Sequence, residues 1–325
     1  MVFIRTPQPW YLSENRITAE RSYFNRRRFL KTVGGASIGL ALASCQTSRG
    51  ASDNADPLIG LMDLAATPNP DFTDVGRPLT GRTLAATYNN FYEFGGTKNV
   101  WQASQALPTN PWTVEVGGLV KNPRIYDLDD LKTVFPQEER VYRFRCVEAW
   151  AMVVPWTGFP MRLMLEAAEP TSEAKFVRFT SYYDQAVTTG PGGFSTRSLP
   201  WPYTEALRID EMANELAFFA LGIYGQTLPK QHGAPIRMVV PWKYGFKGAK
   251  SVVKVEFVAE QPATYWNTLS PNEYKFESNV EPDVAHPRWS QAEEKLLGAG
   301  PDFEVDIVPT LPYNGYGDYV AQLYV

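Results

Sequence analysis

The chain has 325 residues, with 31 Lys and Arg against 35 Asp and Glu, 14% aromatic and 20% charged residues, and a net charge of −4. That charge is uneven: residues 1–44 sum to +5 and the rest to −9, so the body lacks the basic footprint of a nucleic-acid binder, and a chain this aromatic is not disordered. Two Cys cannot build a disulfide framework or hold a four-cysteine iron–sulfur cluster, and with two His they barely supply a closed zinc site.

The leader comes first. Asn25-Arg26-Arg27-Arg28-Phe29-Leu30-Lys31 matches the twin-arginine export pattern, and the uncharged run behind it, residues 32–45, is too short to span a bilayer as a helix. Residues 1–44 therefore read as an export signal. Ala41-Leu42-Ala43 suits signal-peptidase cleavage, whereas Leu42-Ala43-Ser44-Cys45 suits a lipobox that would lipidate Cys45, and both routes stay open. Residues 45–75 read as a flexible linker, with Thr67-Pro68-Asn69-Pro70-Asp71 as loop because two Pro sit beside Asn and Asp. Residues 76–325 read as one folded domain.

Within that domain, alternation predicts a strand at residues 112–120, with a bulge at Gly117-Gly118. A short helix begins at Asp127, with Leu128, Leu131 and Val134 inward, and stops at Pro136. Further strands are predicted at residues 141–146, 175–180, 235–240 and 251–258. A helix follows Gly158-Phe159-Pro160, with Leu163, Leu165 and Ala168 as its apolar face. Residues 291–297 are amphipathic. Short strands and helices interleave irregularly, and the fold class is α+β.

Three features carry chemistry. Cys146 stands in Arg145-Cys146-Val147-Glu148, where it is either a buried inert thiol or a thiolate stabilised by Arg and offered to a soft metal. The stretch 242–250 holds Lys243, Lys247 and Lys250 among Gly245 and Gly248, a basic loop whose backbone can approach a phosphate, with Arg237 upstream to join it. Tyr88-Asn89-Asn90-Phe91-Tyr92-Glu93 sets amides and a carboxylate among aromatics, as a flat heterocycle with many donors and acceptors would require, or as a capped surface loop would.

Long stretches of the chain resemble the sulfite oxidase-type molybdoenzymes, and more closely their bacterial protein-methionine-sulfoxide reductase catalytic subunits. They are residues 143–150 (Arg-Phe-Arg-Cys-Val-Glu-Ala-Trp), 153–160 (Val-Val-Pro-Trp-Thr-Gly-Phe-Pro), 89–94, 241–250, His286-Pro287-Arg288-Trp289-Ser290-Gln291 and Asn314-Gly315-Tyr316. The resemblance implies a molybdopterin-binding core of mixed β-sheets, without a C-terminal immunoglobulin-like dimerisation domain, and a monomer. It implies a molybdenum–molybdopterin cofactor in its mononucleotide form, with Cys146 as metal ligand and catalytic residue. Asn89, Tyr92 and Glu93 would contact the pterin. Ser181, His232, Arg237 and the Gly248-Ala249-Lys250 turn would hold its remaining polar and phosphate groups. Ser181 stands where the family commonly has Thr, and His232 where it has Asn, a group that could titrate. No haem, zinc or iron–sulfur centre is expected in this chain.

The implied function is periplasmic repair of methionine sulfoxide, in proteins or free, by oxygen-atom transfer. Electrons would come from the quinone pool through an MsrQ-like haem-containing membrane subunit, and oxidised periplasmic proteins would be the substrates. The alternatives are a sulfite oxidase-like enzyme, a reductase of small S- or N-oxides on the same cofactor, and a non-enzymatic exported lipoprotein.

Overall fold

The first long hairpin of the fold is built from residues that want opposite environments. Glu138–Arg145 alternates half-buried with buried side chains, while Trp150–Pro160 is buried along its whole length and so has packing on both faces. These positions belong to a computed structural model that describes residues 56–192, 198–300 and 303–325. The expected export signal and Cys45 lie outside the described residues. Residues 54–325 form one unit.

In chain order the strands are β1 (Thr67–Pro68), β2 (Thr113–Gly118), β3 (Arg124–Asp127), β4 (Glu138–Arg145), β5 (Trp150–Pro160), β6 (Phe176–Ser181) and β7 (Thr204–Arg208). Then come β8 (Phe218–Ile223), β9 (Gln226–Thr227), β10 (Arg237–Val239), β11 (Val252–Val258), β12 (Glu293–Leu297) and β13 (Val305–Pro309). One sheet runs β1-β4-β5-β12-β13, with β8 also paired to β5 and carrying β9 and β10; the other runs β3-β2-β11-β6-β7. Strand β5 is the spine of the larger sheet. Its start pairs in parallel with β12 at Trp150 and Ala151, and its end pairs antiparallel with β8 through Phe159 and Phe219. The register shifts at Gly158, where a Cβ would stand 1.9 Å from the Phe219 carbonyl oxygen, so only glycine fits. The sheets meet through Phe219 of β8 and Phe179 of β6, ring centroids 6.0 Å apart, with Phe159 and Phe135 stacked beside them at 4.5 Å. Mixed sheets with short helices agree with the α+β expectation.

Several local expectations need correction. Thr67–Pro68, read as loop, is a short strand parallel to β4, and Phe72 behind it is buried, so the described part of the expected linker, residues 56–75, is tied to the body. The Gly117-Gly118 pair ends β2 without a bulge: Gly118 has φ +85°, and its Cα lies against the Phe257 backbone. The helix Leu128–Val134 is capped by the Asp127 side chain accepting from Asp130 N at 2.7 Å, but Val134 points to solvent. The helix Met161–Ala168 buries Met161, Met164 and Ala168 rather than Leu163 and Leu165, because that i, i+3, i+7 stripe faces the core. The amphipathic stretch at 291–297 is strand β12.

Candidate active site

The tip of the β4–β5 hairpin presents Cys146. Cys146 N donates to Trp150 O at 2.9 Å and Ala149 N to Cys146 O at 3.0 Å, and Ala149 takes φ +66° to close the turn. Two of this loop's carbonyls are met from the segment 289–295 and a third from Arg145. Trp289 Nε1 and Gln291 Nε2 each donate to Val147 O at 2.8 Å, Lys295 N donates to Ala149 O at 2.8 Å, and Arg145 Nη1 donates to Cys146 O. Arg145 is in turn fully buried and ion-paired with Glu294 at 3.0 Å. The loop is thus aimed by side chains about 140 residues away.

Cys146 Sγ opens into a cavity of about 400 Å³. Eight of the ten expected site residues line it: Asn89, Tyr92, Glu93, Cys146, His232, Arg237, Gly248 and Lys250. Ser181 and Ala249 do not. Ser181, 1% exposed at the end of β6, donates its backbone N–H to the carbonyl of Tyr203, a lining residue, while Ala249 is buried and its carbonyl accepts from Met238 N at 2.9 Å.

The thiol's environment differs from expectation. Arg145 sends its guanidinium to Glu294, Gln291 and Thr310, and its charge favours the thiolate only weakly against larger opposing effects. Burial first, and then the Glu148 carboxylate, push the Cys146 thiol up to about 12. Around Sγ stand Asn90 Nδ2 at 3.4 Å, Glu148 N at 3.4 Å and Glu148 Oε2 at 3.6 Å. Asn90 also donates to Glu148 Oε2 at 2.6 Å, and Lys98 pairs with the same oxygen. A thiol so held stays protonated in water and would be deprotonated by a metal ion that replaces that proton.

Across the cavity the electrostatics reverse sign. Arg237 opens β10, is 3% exposed, and spends two donors on carbonyls, Nε to Met238 O and Nη1 to His232 O, both at 3.1 Å. Lys250 Nζ donates to Asn90 O and Gln231 O, both at 2.7 Å. Among the described residues neither cation has a carboxylate in ion-pair contact. Burial lowers the guanidinium of Arg237 to about 10, holds the ammonium of Lys250 well below its usual value against the pull of Glu93, and raises the Glu93 carboxyl to about 7. An anion in the cavity would compensate the two basic groups. The other two lysines of the basic loop serve differently: Lys247 pairs with Glu205 at 2.6 Å and Lys243 with Glu211 at 2.6 Å, all four buried. They are braces, and only Lys250 faces the cavity.

Burial, then the charges of Lys250 and Arg237, hold the pKa of His232 well below the usual value, which favours the neutral imidazole.

These residues fit a phosphate-bearing heterocycle that brings its own metal ligands. Among the described residues no three His, Cys, Asp or Glu side chains gather as a metal site. Ser181 Oγ is buried without a hydrogen-bond partner. At Gly248 a Cβ would stand 2.8 Å from Met238 O and 3.1 Å from Arg237 Nη2, filling space beside the cation. Sequence reasoning left out Asn90, Glu148 and Lys98. The first two lay inside quoted motifs, whereas Lys98 carried no signal.

Residues 102–266 match the oxidoreductase molybdopterin binding domain family. The fold and site are thus those of a molybdopterin-binding oxidoreductase. The protein-methionine-sulfoxide reductase catalytic subunit MsrP of Burkholderia mallei (strain ATCC 23344) is 46% identical over 314 residues, 96% of this chain and 93% of that protein. The MsrP of Ralstonia nicotianae (strain ATCC BAA-1114 / GMI1000) is 46% identical over 313 residues, 95% of this chain and 92% of its own. The chain belongs to the protein-methionine-sulfoxide reductase catalytic subunit family. The solved structure of the sulfane dehydrogenase SoxCD from Paracoccus pantotrophus aligns at 18% identity and a TM-score of 0.38, over 47% of this chain and 40% of that one.

Proposed function

We propose that this protein reduces methionine sulfoxide to methionine at Cys146, using a molybdenum–molybdopterin in the mononucleotide form. The observation that carries the reading is the opening of one thiol, Cys146, into the same cavity as buried Arg237 and half-buried Lys250, which make no ion-pair contact with a carboxylate among the described residues. When bound, the cofactor would supply two-electron oxygen-atom-transfer chemistry. Cys146 binds the metal as thiolate, and the carbonyl contacts from Trp289, Gln291 and Arg145 fix its direction. Arg237 and Lys250 hold the phosphate. Asn89, Tyr92 and Glu93 bind the pterin edge, with neutral His232 lining the same cavity.

The rest of the reading follows the family and the leader. The protein works in the periplasm after twin-arginine export, either cleaved or anchored through Cys45. It acts as a monomeric catalytic subunit, with residues 76–325 as the catalytic domain. It receives quinone-pool electrons through an MsrQ-like haem-bearing membrane subunit, and its substrates are oxidised periplasmic proteins.

The test is methionine sulfoxide-dependent oxidation of reduced viologen by purified enzyme of measured molybdenum content, with sulfite oxidation assayed in parallel. Turnover that disappears in Cys146→Ser supports the reading. A molybdenum-loaded enzyme inactive on methionine sulfoxide but active on sulfite or a small N-oxide replaces it.

A further inference from the structure

One wall of the cavity has no part in the cradle. From Tyr92 an arc of rings runs along the mouth: Trp266 lies 4.9 Å from Tyr92, Tyr274 4.9 Å from Trp266, and His286 5.9 Å from Tyr274. The arc ends where His286 stacks on Trp289 at 3.9 Å and 9°. Trp266, Tyr274 and Trp289 line the cavity, and the two indoles are only partly buried. Large apolar rings left open to water around a cavity that holds a reactive thiol are surface kept for a ligand.

The rim above them is electrically balanced. Arg288 lies over the Trp289 ring at 4.7 Å, and its Nη2 meets Glu273 Oε2 at 2.8 Å; His286 Nε2 is 3.4 Å from the same carboxylate oxygen. The exposed guanidinium is thus paired with Glu273, so the rim carries little net charge.

We propose that Trp266, Tyr274 and Trp289 form the substrate-side wall that selects an organic sulfoxide side chain, through contact of its sulfur, S-methyl and methylene groups with the rings, over an inorganic oxyanion such as sulfite. This inference rests on the reductase reading. Sulfur and methyl groups are attracted to aromatic rings, whereas a dianion gains nothing from a neutral apolar wall and loses hydration on meeting it. The Arg288–Glu273 pair holds the rim neutral, and Trp289 is anchored through Val147 O, so the wall keeps a fixed relation to Cys146.

The test compares Trp266→Leu and Trp266→Phe with wild type, each matched for molybdenum content, by KM and kcat for methionine sulfoxide. Trp266→Leu should raise KM about tenfold, a factor worth 1.4 kcal/mol, with kcat changed less than about twofold, because a contact made equally before and during reaction affects binding alone. Trp266→Phe should recover most of the loss. Tyr274→Leu should repeat the effect and replaces Trp266→Leu if that variant does not fold. An unchanged KM in a folded, metal-loaded leucine variant overturns the wall while leaving the reductase reading standing. Wild-type enzyme that turns over no methionine sulfoxide overturns both.

Discussion

The indole N–H of Trp289 donates to the carbonyl of Val147 at 2.8 Å, across 142 residues of sequence. Val147 follows the reactive cysteine, so this bond and the parallel one from Gln291 decide where Sγ points. The preorganisation of Cys146 therefore resides in the segment 289–295 as much as in the hairpin that carries it.

Gln291→Leu tests that relationship. It removes one donor to Val147 O and the side-chain oxygen that accepts from Arg145 Nη2 at 2.9 Å, leaving buried polar groups short of partners. The loss in unfolding free energy should be about 1–3 kcal/mol, and molybdenum per folded protein should drop. Metal analysis beside urea unfolding measures both. Full molybdenum occupancy in the variant would show that Trp289 alone fixes the loop.

The lysines of the 243–250 stretch should separate cleanly. Lys250→Ala removes a cavity cation that braces Asn90 O and Gln231 O, and bound molybdopterin should fall while the fold persists. Lys247→Met leaves Glu205 buried and unpaired and should cost about 3–5 kcal/mol, with cofactor content per folded molecule near wild type. Adding Glu205→Leu should return much of that stability, since a well-packed apolar pair replaces a buried ion pair at little cost. Equal cofactor loss in Lys250→Ala and Lys247→Met would refute the division of labour.

Glu93 gives a pH signature in the cofactor-free protein. Burial raises its carboxyl from the ordinary 4.5 to about 7, opposed by a backbone hydrogen bond and by Lys250. Below 4.5 both folded and unfolded chains hold the proton. Between 4.5 and 7 the unfolded chain releases it while the folded chain retains it, so stability from this group falls as pH rises and levels off above 7. Urea midpoints measured from pH 4.5 to 7.5 should fall more steeply in wild type than in Glu93→Gln. Parallel profiles would mean that Glu93 ionises normally in the fold.

Much of the site was legible because it lies in contiguous motifs: Asn89, Glu93, Cys146, Arg237 and Lys250 line one cavity. What failed was side-chain direction. A lysine in a Gly-rich loop reads the same whether its ammonium meets a ligand or a buried carboxylate, as Lys247 meets Glu205. Arg145 beside Cys146 reads as an activating cation, yet its guanidinium goes to Glu294 and its pull on the thiol is outweighed by burial and the Glu148 carboxylate. Strand β5 lacked a signal of its own, since packing on both faces erases the alternation and Pro155 and Pro160 interrupt it. The α+β class survived because it needs only the mixture of short elements, while the pairing of β12 with β5, on which the loop depends, is a long-range contact that no local pattern encodes.

The buried pair of Arg145 and Glu294 has two tasks that mutation can divide. As an ion pair, both side chains fully buried and with Arg77 also bound to Glu294, it stabilises the junction of β4 and β12. As a donor, Arg145 holds Cys146 O. Arg145→Met should cost about 1–3 kcal/mol, because Glu294 loses its fully buried partner and keeps only Arg77. In Arg145→Met/Glu294→Leu the under-paired carboxylate is gone, and part of that loss in unfolding free energy should be recovered. Molybdenum content should not recover with it, because Cys146 O still lacks its donor and the thiolate loop is free to turn. Denaturation and metal analysis on the single and double variants give the two readouts. Recovery of both together would make Arg145 a brace alone, with the aim of Cys146 set entirely by Trp289 and Gln291.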